Sequence, residues 1–167
     1  MEEMQVYVAN LGKYNEGELV GDWFSFPLDY DQIAERIGLN DEYEEYAIHD
    51  YEMPIPVHEY TSIDELNRIV EQIESIDDDE IVSELSELLN YWFESIDDLV
   101  EHLDDLIHYS DCDSMEDVAQ YYVEETGAFG EIPNQLQNYI DYEALGRDMD
   151  MEGNFLETSH GVFEYVG

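Results

Sequence analysis

The chain has 167 residues, of which 45 are Asp or Glu and only four are Lys or Arg, so its formal net charge is −41. A chain so poor in basic side chains is not expected to bind nucleic-acid phosphates or an anionic membrane directly. Leu, Ile, Val and Phe account for 44 residues, about 26%, which exceeds the roughly 20% that marks disordered chains, so the composition predicts a folded protein.

The first third of the chain predicts mixed structure. Met4–Leu11 and Leu19–Leu28 are rich in Val, Tyr, Trp and Phe, which is typical of strands. Asp31–Ile37 predicts a short helix that Gly38 would end. Glu44–Met53 predicts a third strand, because it is followed by two prolines, which interrupt a sheet ladder.

The middle of the chain predicts three amphipathic helices. Ser62 and Glu65 form a capping box, and apolar residues then recur at helical spacing as far as Ile76. A second helix is predicted over Ile81–Trp92. A third is predicted from a cap at residue 95 through residue 107.

The last third predicts mixed structure again. Ser114 would cap a helix that ends near Gly127, since glycine is a common helix C-terminal stop. Proline suits the first turn of a helix, so another helix is predicted over Pro133–Tyr142. Asn154–Thr158 and Val162–Val166 predict a hairpin.

These elements predict an α+β fold with a helical middle. We expect three domains: an N-terminal α+β domain over residues 1–61, a helical domain over 62–108 and a C-terminal α+β domain over 109–167. The single cysteine, Cys112, cannot form an internal disulfide, and the N-terminus lacks the basic start and apolar core of a signal peptide. A cytoplasmic location is therefore expected.

Two groups of acids are candidates for binding a basic partner. One is the acidic run between the first two middle helices. In the third predicted helix, five acids recur at i, i+1, i+4, i+7 and i+8, which would place them on one face. They would span about 12 Å, or about one charge per 2.4 Å, against about one per 1.7 Å of duplex DNA. The candidates are Asp77, Asp78, Asp79, Glu80, Asp97, Asp98, Glu101, Asp104 and Asp105.

This charge pattern has plainer interpretations as well. The charged face of an amphipathic helix is usually only solvated, and acid-rich surfaces with scarce Lys also occur in halophilic proteins. Against the first interpretation, ordinary surfaces intersperse both signs of charge. The pattern therefore predicts a partner with a basic surface, and most such surfaces in cells hold nucleic acid.

Sequence signatures of catalysis are missing. We find no phosphate-binding glycine motif, no nucleophile elbow and no zinc-protease helix, so we expect no enzyme activity, no cofactor and no dedicated metal site. Asp148-x-Asp150-x-Glu152-Gly153 matches the opening of a calcium-binding EF-hand loop, but Ser159 stands where the loop needs its bidentate Glu. Binding or buffering of calcium remains an alternative function.

Three blocks of sequence carry a further signal. They are Tyr7–Gly17 followed by Gly21–Trp23, then Glu45–Glu52, and then Gly127–Pro133 with Tyr139–Tyr142 and Gly146–Asp148. In this order they resemble the ArdA antirestriction proteins, which are carried by conjugative transposons and plasmids. The similarity runs essentially from end to end, although the middle helices match mainly by their acidic amphipathic character.

The resemblance implies a DNA mimic that occupies the DNA-binding groove of type I restriction–modification enzymes. It also implies an elongated, curved body of three small domains that dimerises through its C-terminal domain. The antirestriction motif of the family would lie near this subunit contact, although its glycines and proline also suit a structural role between helices. Its residues here are Gly127, Phe129, Gly130, Glu131, Pro133, Tyr139, Asp141 and Tyr142.

Overall fold

The observed secondary structure confirms the α+β class. A computed structural model describes residues 3–167, and within these residues it has nine α-helices and two three-stranded antiparallel sheets. The chain divides into two units, Met1–Val100 and Glu101–Gly167. The division into three domains stays a prediction.

The first unit alternates strands and helices and then becomes helical. Its elements in chain order are β1 (Gln5–Asn10), α1 (Leu11–Asn15), β2 (Gly21–Ser25), α2 (Tyr30–Ile37), β3 (Tyr46–Glu52), α3 (Ile63–Glu74), α4 (Asp79–Ser83), α5 (Leu85–Trp92) and α6 (Ile96–Glu101), whose last residue belongs to the second unit.

The sheet of the first unit has β1 at its centre. The strand order is β2-β1-β3, and both pairings are antiparallel. Val6 and Val8 are fully buried on one face, where Ile33 of α2 and Leu66 of α3 join the same core. Since side chains alternate between the two faces of a strand, this spacing directs both valines to the helices. The core therefore continues from the sheet into α3, across the predicted boundary at residue 61.

The predicted elements of the first third are confirmed. All three strands form, each somewhat shorter than predicted. The side chain of Asp29 accepts a hydrogen bond from Gln32 N at the start of α2, and Gly38 ends the helix with φ of 74°. Glycine is favoured there because a Cβ is strained in the left-handed region.

The first two middle helices are confirmed with one difference. Ser62 Oγ accepts a hydrogen bond from Glu65 N and caps α3 as predicted. The predicted second helix is divided at Glu84, which is 6% exposed, into α4 and α5. The apolar spacing runs through the division, so periodicity alone predicts a single helix.

The second unit has its own sheet and core. Its elements are a 3-10 turn (Leu103–Asp105), β4 (Leu106–Tyr109), α7 (Met115–Glu124), α8 (Asn134–Gln137), α9 (Tyr142–Glu152), β5 (Phe155–Thr158) and β6 (Gly161–Tyr165). The strand order is β4-β6-β5. The predicted hairpin is confirmed as β5 and β6, and Val118 and Val162 are fully buried in the core between α7 and this sheet.

The predicted third middle helix is wrong beyond Glu101. The helix α6 ends there, and Leu106–Tyr109 forms β4 instead, with Leu106 opposite Tyr165 of β6. Residues 106–109 are Leu, Ile, His and Tyr, and aliphatic and aromatic side chains of this kind pack well on a pleated sheet. Pairing with a strand more than 50 residues away overrides the helical spacing of the apolar residues.

The predicted helix over Pro133–Tyr142 is also wrong. Only the four-residue α8 forms within it, and Tyr142 instead begins the longer α9. Asp141 caps this helix by accepting a hydrogen bond from Ala144 N at 3.0 Å. The segment 134–138 offers one apolar side chain, Leu136, which is exposed, so a longer helix there would have no buried face.

Asn10 at the end of β1 supports a prediction about stability. It is fully buried, its amide donates to the carbonyls of Ile37 and Gly38 at 3.0 and 3.3 Å, and its Oδ1 accepts from Lys13 N at 3.1 Å. Asn10→Ala would leave these buried groups unpaired, so we expect the free energy of unfolding to fall by about 2–3 kcal/mol in urea denaturation. The exposed Asn15→Ala is the control, and equal midpoints for the two variants would contradict this role.

Candidate functional site

The charge of the chain is displayed at its surface. Among residues 3–167, every Asp and Glu is at least partly exposed except Glu84. The apolar residues supply the core of each unit, which fixes the backbone that carries these carboxylates. The arrangement is a folded polyanion, unlike a disordered acidic tail, whose charges have no fixed spacing.

The basic residues neutralise little of this charge. In the part of the chain that the structure describes, Arg68 forms ion pairs with Glu65 and Asp97, and Arg36 approaches Asp22 at 3.5 Å. The pair of Arg36 is exposed on both sides, and such pairs stabilise a fold by only about 0–1 kcal/mol. Most of the described carboxylates are therefore not paired with Lys or Arg.

The acidic run predicted from the sequence lies at the start of α4. Asp77, Asp79 and Glu80 are exposed. Asp78 is half-buried, and its Oδ1 accepts hydrogen bonds from Glu80 N and Ile81 N, which makes it the cap of the helix. Acids at a helix N-terminus are stabilised by its dipole, so this run is held in place by the fold.

Two further candidates, Asp97 and Asp98, are engaged within the first unit. Asp98 Oδ2 accepts from Glu94 N while Asp98 N donates to Ser95 Oγ, so the predicted cap of the helix is confirmed. Asp97 accepts both of its hydrogen bonds from Arg68. No Lys or Arg lies in the sequence near Asp97, and its basic partner comes instead from α3.

The remaining candidates lie beyond the helix. Glu101 ends α6 and is exposed, as is Asp104, whereas Asp105 is half-buried and its carbonyl accepts from Val166 N at 2.9 Å. Because Asp104 and Asp105 lie in a 3-10 turn, the five acids do not follow one helical face. The duplex-like linear spacing predicted for them does not hold.

The side chain of Arg68 lies between two carboxylates. Its Nε and Nη2 donate to Glu65 at 3.0 and 2.6 Å, and its Nη1 donates to both Asp97 oxygens at 2.6 and 2.7 Å. The Arg68 guanidinium lowers the pKa of the Glu65 carboxyl, and the two carboxylates raise the pKa of Arg68. Reasoning from the sequence missed this cluster, although Arg68 is one of only four basic residues.

The 127–142 segment, in which the resemblance places the family's motif, exposes apolar side chains. Phe129 is 54% exposed, Leu136 55% and Tyr139 83%. Gly127 and Gly130 have φ of 66° and 80°, a left-handed conformation that favours glycine and explains its presence at both positions. An open groove of about 690 Å³ runs along this segment.

The other motif residues have mixed surroundings. Glu131 and Pro133 are exposed, and Asp141 caps α9. Tyr142 is half-buried, and its hydroxyl donates to Glu124 Oε1 at 3.3 Å. The motif thus combines an exposed loop with residues that start a helix.

A cluster of two tyrosines and an acid was also missed. Tyr109 donates to Glu164 at 2.7 Å, and the hydroxyl of Tyr122 lies 3.1 Å from that of Tyr109 and 3.2 Å from the same carboxylate oxygen. Burial, followed by the hydrogen bonds to Tyr122 and Glu164, raises the pKa of Tyr109. Glu164 therefore joins β6 to α7, and its contribution is internal to the second unit.

The stretch resembling an EF-hand opening, from Asp148 to Glu152, lies in the helix α9, whereas such a motif requires a loop. No helix in the described part of the chain is long and apolar enough to cross a bilayer.

A search among curated proteins gave no match. A family model described as antirestriction protein (ArdA) matches residues 6–164, which is nearly the whole chain and includes all three sequence blocks. The chain therefore belongs to the ArdA family of antirestriction proteins.

Proposed function

We propose that this protein inhibits type I restriction–modification enzymes by occupying the groove in which they hold DNA. Its carboxylates stand in for DNA phosphates, and it acts by stoichiometric binding without catalysis. The observation that carries the proposal is the folded surface on which all described acids but Glu84 are at least partly exposed and few are paired with Lys or Arg. Membership of the ArdA family supports antirestriction as the outcome.

The amount of charge suits this role. On the scale of about one negative charge per 1.7 Å of duplex, −41 corresponds to about 70 Å, or about 20 base pairs. A carboxylate accepts a bidentate hydrogen bond from arginine much as a phosphate does. Electrostatic steering and release of counterions would supply much of the association rate and affinity.

The acids that we assign to partner binding are the predicted candidates other than Asp97, whose carboxylate Arg68 already occupies. Asp77, Asp79 and Glu80 support the assignment best, because they are exposed and lie next to one another at the start of α4. Carboxylates cannot imitate the edges of bases. We therefore expect enzymes with different recognition sequences to be inhibited alike.

We further propose that two copies associate through the 127–142 segment, in the cytoplasm where restriction enzymes act. The exposed Phe129, Leu136 and Tyr139 support this contact, since aromatic and aliphatic side chains form the centre of subunit interfaces. Two copies would double the imitated length to about 40 base pairs on the same charge scale. That length suits an enzyme that contacts DNA on both sides of a divided recognition site.

Competition across a salt series tests the proposed function. A purified type I enzyme is mixed with labelled DNA containing its site, and the protein is titrated at several salt concentrations. We expect displacement of DNA to be competitive, with log Kd rising linearly with log salt as ionic contacts are lost. Polyglutamate at equal total charge is the control, because it carries the charge without the fold.

Three outcomes would contradict the proposal. Noncompetitive inhibition would place the binding site outside the DNA groove. Failure to displace DNA at low salt, where ionic contacts are strongest, would show that the carboxylates do not substitute for phosphates. Equal potency of polyglutamate would show that charge suffices and that the fold contributes nothing.

A further inference from the structure

Arg68 is the basic residue that is most fully engaged with acids in the described chain. Four of its hydrogen bonds go to two carboxylates, Glu65 in its own helix and Asp97 at the start of α6. Arg36 makes a single approach to a carboxylate, at 3.5 Å. Arg147 on α9 is exposed and forms no ion pair with any described residue.

The cluster of Glu65, Arg68 and Asp97 differs electrostatically from the surrounding surface. Its net charge is −1, although it contains two carboxylates. Both oxygens of each carboxylate accept a hydrogen bond from the one guanidinium. A partner's arginine would have to displace an intramolecular contact that is already bidentate, which is the strongest geometry for such a pair.

We propose that Arg68 determines how many carboxylates the partner meets, by keeping Glu65 and Asp97 from binding it. This inference rests on the proposed function and assigns Arg68 a positioning role. The guanidinium occupies the place that a basic side chain of the restriction enzyme would otherwise take. The protein thus binds less tightly than its number of exposed acids would permit.

Arg68→Gln tests this inference directly, because glutamine has no charge and releases both carboxylates. In the competition assay with a type I enzyme, we expect DNA displacement to become about threefold to tenfold tighter at low salt, as two ionic contacts form. The slope of log Kd against log salt should steepen by about one to two. Arg68→Lys keeps the charge and should retain most of the wild-type slope.

Arg147→Gln is the matched control. It changes the net charge by the same amount but releases no carboxylate from an ion pair. We expect its Kd to stay within about twofold of wild type, because one charge adds little to a total of −41. Thermal unfolding of each variant shows whether the fold is intact.

Asp97→Asn supplies a second test that does not depend on Arg68→Gln folding. With Arg68 present, Asp97→Asn should leave the salt slope unchanged, whereas Asp79→Asn should lower it by about one. In the Arg68→Gln background, Asp97→Asn should reverse part of the gain in affinity and part of the increase in salt slope. This non-additivity is a readout that a purely structural ion pair would not produce.

The outcomes separate the two proposals. If the wild-type protein displaces DNA but Arg68→Gln binds no more tightly, or if Asp97→Asn lowers the slope as Asp79→Asn does, the inference about Arg68 is wrong and the proposed function stands. If the wild-type protein does not displace DNA at low salt, both are wrong.

Discussion

Simultaneous replacement of Asp77, Asp79 and Glu80 by Lys is expected to weaken displacement of DNA from a type I enzyme by at least about 100-fold. The change converts three exposed negative charges at the start of α4 into positive ones. In the proposed complex these would face the basic groove of the enzyme, and like-charge juxtaposition in an interface costs several kcal/mol. About 2.7 kcal/mol corresponds to a factor of 100 in Kd. The measurement is the competition assay at fixed low salt.

Two matched variants show whether position matters. Asp77→Asn, Asp79→Asn and Glu80→Gln remove the charge with almost no change in shape, and we expect a loss of only about tenfold. Glu18, Glu42 and Glu44 are also exposed and lie outside helices and strands, so their joint replacement by Lys changes the net charge equally. If the two Lys variants lose affinity to the same extent, total charge and not position determines binding, and the assignment of these acids is wrong.

The stability of the triple Lys variant must be measured beside its affinity. Asp79 and Glu80 lie in the first turn of α4, where negative charge is stabilised by the helix dipole by about 0.3–1 kcal/mol per residue. Asp78, which caps the helix through its side chain, is left unchanged for this reason. A fall in Tm of a few degrees with a large fall in affinity would assign the effect to binding.

Elements whose ends are determined locally could be predicted from the sequence. The helix α2 is bounded by the cap at Asp29 and the left-handed Gly38, and α3 begins at the N-terminal cap formed by Ser62. Each of these signals involves residues within one turn of the helix end. The hairpin of β5 and β6 is equally local, because its two strands are joined by a two-residue turn.

Elements that depend on distant partners could not be predicted. The apolar residues at 103, 106 and 107 fit a helix, yet the chain forms β4 because β6, far along the chain, offers an antiparallel partner. The same limit applies to the candidate site. Composition predicted an exposed acidic surface, but the contact between Arg68 and Asp97 joins residues 29 positions apart. The sequence around Asp97 contains no basic residue that would indicate this contact.

Gly146, which belongs to the third sequence block, has a structural role that only the fold reveals. It is buried in α9, where this helix packs on the start of α7. A Cβ built on Gly146 would lie 2.5 Å from Met115 O, 2.6 Å from Met115 C and 2.9 Å from Glu116 N. These are backbone atoms, which cannot move aside as a flexible side chain would. Only glycine permits the two helices to approach this closely.

Gly146→Ala is therefore expected to destabilise the second unit by about 2 kcal/mol. Helix propensity alone favours alanine over glycine by about 1 kcal/mol, so an exposed helical position would show stabilisation. Here the overpacking penalty, about 3 kcal/mol for a contact that the backbone must relieve, outweighs that gain. Asp150→Ala, at an exposed position of the same helix, is the control and should show no such loss.

The two units allow this prediction to be localised. Both tryptophans, Trp23 and Trp92, belong to the first unit, so tryptophan fluorescence during urea denaturation reports on that unit. Amide hydrogen exchange in α7 and α9 reports on the second. We expect faster exchange in these helices with an unchanged fluorescence transition. Stabilisation of the second unit by about 1 kcal/mol would contradict the close approach, because propensity alone would then account for the result. The 127–142 segment connects these two helices, so a loss of their packing should also weaken inhibition if the segment joins two copies.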